Sequence, residues 1–157
     1  MIPKVEILNN SKKKKTLLKL NESFGISKLK HLFIKVGKNK YRIFSGSLSK
    51  EELHDLLKIA RVELIGSRLC TIDDEDVRLN IDLMNLPEIK KQITENIFKL
   101  EDKYIDAWLR GNNLEIPVEL KGKFIAIKNG KDFLGMGRNQ KVNIHNYVPK
   151  ERRIVGK

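Results

Sequence analysis

A chain of 157 residues with 40% hydrophobic and 33% charged side chains is long enough for one ordinary domain or two very small ones, and too apolar to stay disordered. Its 32 Lys and Arg against 20 Asp and Glu leave a net charge of +12, a surplus that attracts polyanions, with RNA, DNA and anionic membrane as the candidates. A single cysteine, Cys70, excludes an internal disulfide and a cysteine-built zinc cluster, and its setting VELIGSRLCTI reads as that of a buried structural thiol.

The charge is uneven along the chain. Residues 1 to 40 carry eleven basic side chains against two acidic ones, residues 41 to 100 nine against eleven, and residues 101 to 157 twelve against seven. No apolar run is long enough to span a bilayer, and MIPKVEILNN lacks the pattern of a secretion signal, so the expected location is the cytoplasm.

In chain order, VEIL (Val5 to Leu8) reads as a first strand and NNSKKKK as an exposed loop, whose lysines are either solvated or in contact with phosphates. HLFIKVGKNKYRIFSG alternates apolar and polar residues around Gly37-Lys38-Asn39, predicting a hairpin with strands near 31 to 36 and 40 to 45. SLSKEELHDLLKIA is the clearest helix: Ser49 and Glu52 have capping-box spacing, and Leu53, Leu56, Leu57 and Ala60 recur on one face that must lie on a sheet. Further strands are predicted at 62 to 72 and 77 to 83, joined by the acidic turn Asp73-Asp74-Glu75-Asp76. That turn lacks the glycine and the spaced acids of a calcium loop and reads as a solvated hairpin tip.

LPEIKKQITEN predicts a short helix with Asn85 as its cap and Pro87 in the first turn, and a boundary between two subdomains falls near residue 93. NIFKL (96 to 100) reads as a strand and EDKYIDAWLRG as a short helix closed by Gly111, with Trp108 in the core. Candidate strands LEIPV, KFIAIK, DFLGMG and KVNI follow, with Asn129-Gly130 as the turn between the middle pair. Several short strands and one helix in so few residues suggest a small, partly closed barrel.

Catalytic patterns are missing. His31, His54 and His145 stand far apart and outside any metal-ligand spacing, no serine sits in GxSxG, and LGMGRN lacks the third glycine of a dinucleotide fingerprint. The expectation is a protein without catalytic residues, metal or cofactor. The basic groups say more: Arg110, Lys121, Lys123, Lys128, Lys131, Arg138 and Lys141 recur along the strands, and NYVPKERRIVGK adds Lys150, Arg152, Arg153 and Lys157. Such cations neutralise phosphates, while Asn112, Asn113, Asn139, Asn146 and Tyr147 can hydrogen-bond or stack on unpaired bases. A membrane surface would call for a long basic amphipathic helix, whereas the polar face of the helix at 49 to 60 is acidic.

AWLRGNNL (Ala107 to Leu114), GKFIAIKNGKDFLGMGR (Gly122 to Arg138) and NYVPKERR (Asn146 to Arg153) carry a resemblance. In this order and spacing they resemble the C-terminal PUA-like module of RsmF-type rRNA cytosine methyltransferases, in which a helix ending in YLRG precedes a glycine-led strand, LGxG and an NHYPK-like close. Tyr147 and Val148 stand where that close often shows His-Tyr, so no contact of that histidine carries over. The methyltransferase half has no counterpart, since its nucleotide-binding glycines and Pro-Cys motif are missing and Cys70 follows a leucine. The layout is also similar to that of Nip-type ribosome assembly factors, in which a small domain precedes a PUA domain.

The resemblance implies an α+β chain: a small N-terminal α/β domain (1 to 93) followed by a PUA-like pseudo-barrel (94 to 157). It also implies a non-catalytic RNA-binding protein of ribosome biogenesis or RNA modification, with rRNA or tRNA as partner. The expected RNA-binding residues are Arg110, Lys128, Arg138, Lys141, Asn146, Lys150, Arg152 and Arg153. Gly111, Gly135 and Gly137 are expected to serve backbone geometry. The rival reading is a module that docks onto an RNA-modifying enzyme or an assembly factor, with the charge serving solubility. Sequence leaves open the oligomeric state and whether Lys12 to Lys15 share a face with the C-terminal tail.

Overall fold

The computed structural model describes residues 3–60 and 65–156. It is an α+β structure of two sheets. The first is an antiparallel meander of β1 (Val5–Ile7), β2 (Leu32–Val36), β3 (Lys40–Phe44), β4 (Ser67–Asp73) and β5 (Asp76–Leu79), paired in that order. The predicted hairpin is its β2–β3 pair, and the acidic turn joins β4 to β5 with Asp74 at φ +55°. The first residues of the strand expected at 62 to 72 fall on positions outside the described residues, and β4 is seen from Ser67.

The expected loop NNSKKKK is instead the start of the longest helix, α1 (Asn10–Phe24). The Asn9 side chain caps it by accepting from the Lys12 N–H at 2.9 Å, and Gly25 closes it in the left-handed region at φ +91°. Its buried face is only Thr16, Leu20 and Phe24, a stripe at i, i+4, i+8 beginning just after the lysines. Lysine is a good helix former and keeps its ammonium in water while its stem lies along the surface. Lys13 instead turns its ammonium inward, with Nζ 5.1 Å from the centre of the Phe33 ring and donating to the His31 carbonyl, and burial lowers its pKa.

Helix α2 (Lys50–Ile59) begins as expected, with Ser49 Oγ accepting from the Glu52 N–H. Consecutive side chains of β2 point to opposite faces, and this separates the two helices. Phe33 joins the core containing Leu20 and Phe24 of α1, whereas Ile34 packs with Ile7, Ile65 and Leu53 of α2.

After β5 the expected strand ends early. Asn80 caps a single turn, α3 (Ile81–Met84), through its bond from the Asp82 N–H, and α4 (Pro87–Lys90) follows with proline in its first turn. Asn85 does not cap α4. Its amide instead exchanges two hydrogen bonds with the backbone of Phe133, tying this segment to the second sheet.

The second sheet runs β6 (Ile97–Lys99), β7 (Phe124–Asn129), β8 (Asp132–Asn139) and β9 (Ile144–Asn146). β6 is parallel to β7, and α5 (Ile105–Leu109) lies in the connection between them. Gly111 follows at φ +95°, and Gly130 makes the β7–β8 turn at φ +59°. LEIPV forms no strand: it touches the sheet as a single bridge between Leu114 and Ile144, and Pro117 has no N–H to extend a ladder. The expected strand KVNI starts late, at Ile144, because Lys141 turns the chain at φ +68°.

One face of this sheet packs on Trp108, whose indole donates to the Leu134 carbonyl at 2.8 Å, with Leu114, Val118, Ile125, Ile127, Ile144 and Val148 around it. The other face contributes Ala126, Phe133 and Met136 to the same core as Leu20 and Phe24 of α1 and Val77 and Leu79 of β5. The two sheets therefore bury apolar surface against each other, and the edge strand β5 lies at their seam.

Candidate nucleic-acid interface

Strand register places the chemistry. Phe124, Arg138 and His145 stand directly opposite one another on β7, β8 and β9. Residues opposite each other share a face, so these three project together, while Ile125, Gly137 and Asn146 project to the Trp108 side. Toward the middle of β8 the Phe124 face is covered by the first sheet, as buried Met136 shows. At this end it is open, and Arg138 and His145 are exposed.

Tyr147 follows β9 on the same side and completes a ring cluster. Its centroid is 5.3 Å from Phe124 in a tilted arrangement and 5.5 Å from His145 edge-on. Arg78 of β5 reaches across the seam, its guanidinium carbon 4.9 Å from the Tyr147 ring and 5.7 Å from Phe124. Lys123 also lies over Phe124 but is paired with Asp76 at 3.0 Å. Flat rings interleaved with guanidinium groups can stack unpaired bases and neutralise phosphates together.

The expected binding residues have divided fates. Arg138 stands in this row, and Lys150 is exposed on the turn after Pro149. Lys141 is exposed, with its ammonium on the Leu120 carbonyl. Lys128 is half-buried, with Nζ 5.2 Å from the Phe133 ring.

The remaining arginines hold the tail. Arg152 makes a two-point ion pair with Asp82, both contacts 2.9 Å, and that carboxylate holds its pKa above the usual arginine value. Arg110 is paired with Asp106 and donates to the Gly156 carbonyl, and Arg153 donates to the Val148 carbonyl while lying against Gly111, where a Cβ would sit 2.6 Å from its Cδ. Asn146 is a correction. It is buried, donates to the carbonyls of Trp108 and Asn112, and accepts from the Val148 N–H, so its amide is consumed inside the fold.

The predicted backbone role is visible at all three glycines, Gly111 among them at φ +95°. A Cβ on Gly137 would lie 2.5 Å from Ile144 Cγ2 and 3.1 Å from the Trp108 ring, so the strand approaches the core only as glycine. Gly135 sits at φ +97°, which side chains with a Cβ rarely adopt. Sequence reading named Tyr147 but missed Phe124, His145 and above all Arg78, which comes from the half of the chain outside the PUA resemblance. Its signal was alternation in VRLNI, which marks Arg78 as outward-facing without saying toward what.

Burial pushes the Cys70 thiol far up, which disfavours the thiolate. Among the described residues no three His, Cys, Asp or Glu side chains come together to hold a metal, and no helix is long and apolar enough to cross a membrane.

Residues 95–154 match the family model described as the methyltransferase RsmF PUA domain. No curated protein matches the chain. The match supports reading the C-terminal segment as a PUA-like module similar to that of RsmF-type methyltransferases. PUA domains generally bind RNA, which supports an RNA partner.

Proposed function

We propose that this is a non-catalytic RNA-binding protein that engages rRNA or tRNA in the cytoplasm, in ribosome biogenesis or RNA modification. The observation that carries the proposal is the open row of Phe124, Arg138 and His145 with Tyr147 beside it and Arg78 against the rings. Cations supply affinity for any phosphate chain, and the rings favour single-stranded or looped elements over a regular duplex. The +12 charge supports the same partner. In this reading residues 1–93 and 94–157 act as two subdomains on one shared core. The bridge from Leu114 to Ile144 supports a PUA-like pseudo-barrel closed by the 114 to 118 segment.

Crosslinking the protein to RNA in its own cells and sequencing the bound RNA tests this reading. Enrichment of one rRNA or tRNA segment, lost in Arg138→Glu, is the expected result. Recovery that follows RNA abundance and ignores that change would refute it, and docking onto a methyltransferase or assembly factor would take its place.

A further inference from the structure

We infer that the cleft between the two sheets takes one unstacked nucleotide of the bound RNA, its base against Tyr147 and its phosphate on Arg68 and Arg78. The inference rests on the RNA-binding proposal and deepens it, because it assigns part of the site to a half of the chain that the PUA match does not reach.

The cleft has a volume of about 150 Å³ and is lined by Arg68, Thr71 and Arg78 from the first sheet and by Met136, Tyr147 and Pro149 from the second unit. Pockets for drug-sized ligands run from roughly 300 to 1,000 Å³, so this one suits a single flat ring and not an extended cofactor. One wall is the aromatic ring, and the guanidinium of Arg78 already lies 4.9 Å from it.

The opposite wall carries charge that the fold leaves uncompensated. Arg42 and Arg68 stand directly opposite each other on β3 and β4, an arrangement of like charges that destabilises a sheet. Arg42 is held by the carbonyls of Ile65 and Gly66, and its pKa is lowered by burial and then by Arg68. Lys40, Thr71 and Arg78 form the next cross-strand row on the same face. Among the described residues no carboxylate pairs with Lys40, Arg42, Arg68 or Arg78. Asp73 and Asp76 form the following row on this face, but Asp73 takes an Asn39 hydrogen bond and Asp76 pairs with Lys123, and neither lines the cleft. A sheet face that gathers four cations beside an aromatic slot, lines that slot with two of them and has its nearest acids already bonded, is arranged for an external anion attached to something flat. A nucleotide supplies both parts.

Binding of the full chain to a short single-stranded RNA, followed by fluorescence anisotropy, tests the inference. The RNA carries a fluorescent adenine analogue whose emission reports stacking. Arg68 is exposed, so Arg68→Ala leaves the fold intact. Tyr147→Leu keeps an apolar side chain but removes the ring, and Tyr147→Phe restores it. Stacking on one aromatic ring contributes about 1–3 kcal/mol, so Tyr147→Leu is expected to weaken binding by roughly fivefold to a hundredfold, with the emission change lost and Tyr147→Phe close to wild type. Arg68→Ala is expected to weaken binding and lower its salt dependence. If wild type binds RNA and all three variants match it, the cleft is not a nucleotide site while the RNA-binding proposal stands. If wild type binds duplex but not single-stranded RNA, the cleft assignment falls as well. If wild type binds no RNA, both fall together.

Discussion

Replacing Asn146 by alanine separates a structural asparagine from an RNA-reading one. Its amide nitrogen donates to the Trp108 carbonyl at 2.7 Å and to the Asn112 carbonyl at 3.0 Å, and its oxygen accepts from the Val148 N–H at 2.8 Å. Alanine removes all three bonds. Asn112 is exposed, so water can replace its lost partner, and the Trp108 carbonyl keeps its bond from the Gly111 N–H, but the Val148 N–H is left alone in a residue only 1% exposed. A buried polar group left without a partner costs about 1–3 kcal/mol. For a chain of this size each kcal/mol lowers Tm by about 2–4 °C, which sets an expected fall of roughly 2–12 °C in a calorimetric or circular-dichroism melt. RNA affinity of the folded variant, measured well below its Tm, should stay within about twofold of wild type, a difference under ~0.5 kcal/mol. An unchanged Tm with collapsed RNA affinity would refute the reasoning and return Asn146 to the binding surface.

Arg138→Glu should weaken RNA binding at every sequence tested. If about five phosphates are neutralised, the wild-type log-log salt slope is roughly −4, and the variant's slope should be shallower by about one, measured by anisotropy across a salt series. Lys14→Glu with Lys15→Glu, at exposed positions on α1, should alter that slope much less. Gly137→Ala, whose Cβ would fall 2.5 Å from Ile144 Cγ2, should lose about 1–3 kcal/mol in denaturant unfolding through overpacking, and an unaltered midpoint would contradict the close approach of β8 to Trp108. Cys70, with its pKa raised by burial, is protonated throughout the neutral range. It should therefore react with a thiol reagent only at the rate of unfolding, and rapid labelling of the native protein would contradict its placement.

The elements that sequence made legible are those whose signal is local. Ser49 with Glu52, the Gly37 to Asn39 turn and the Asn129-Gly130 turn each specify their geometry within four residues, and each is found where expected. α1 was hidden because its buried stripe is only Thr16, Leu20 and Phe24 and follows four lysines, so composition masked periodicity. The asparagines were misread for a different reason. Asn85 and Asn146 donate to backbone carbonyls 34 to 48 positions away, and Asn96, given no role from sequence, likewise joins the Ser23 carbonyl to the Gly122 N–H. A polar residue in a loop looks the same in sequence whether it faces solvent or staples two segments.

The same reasoning explains why counting cations does not by itself locate a phosphate site. A charge contributes to phosphate binding only if the fold has not already neutralised it, and Arg152, Arg110 and Lys123 are each paired with a carboxylate at about 3 Å. Of the N-terminal lysines, Lys12 is paired with Glu6 and Lys19 with Glu75. These lysines also lie on the wrong side. Val36, Lys40, Thr71 and Arg78 form one cross-strand row, and Val36 packs with the α2 cluster, so Arg78 is on the face of the first sheet opposite α1. The lysine run and the aromatic row therefore cannot act as one continuous surface without a strand that passes around a sheet edge. What distinguishes the seam is the coincidence of half-buried rings with guanidinium groups that have no carboxylate partner among the described residues. That coincidence arises from the register of β7, β8 and β9 and from the packing of β5 against them, neither of which is visible one residue at a time.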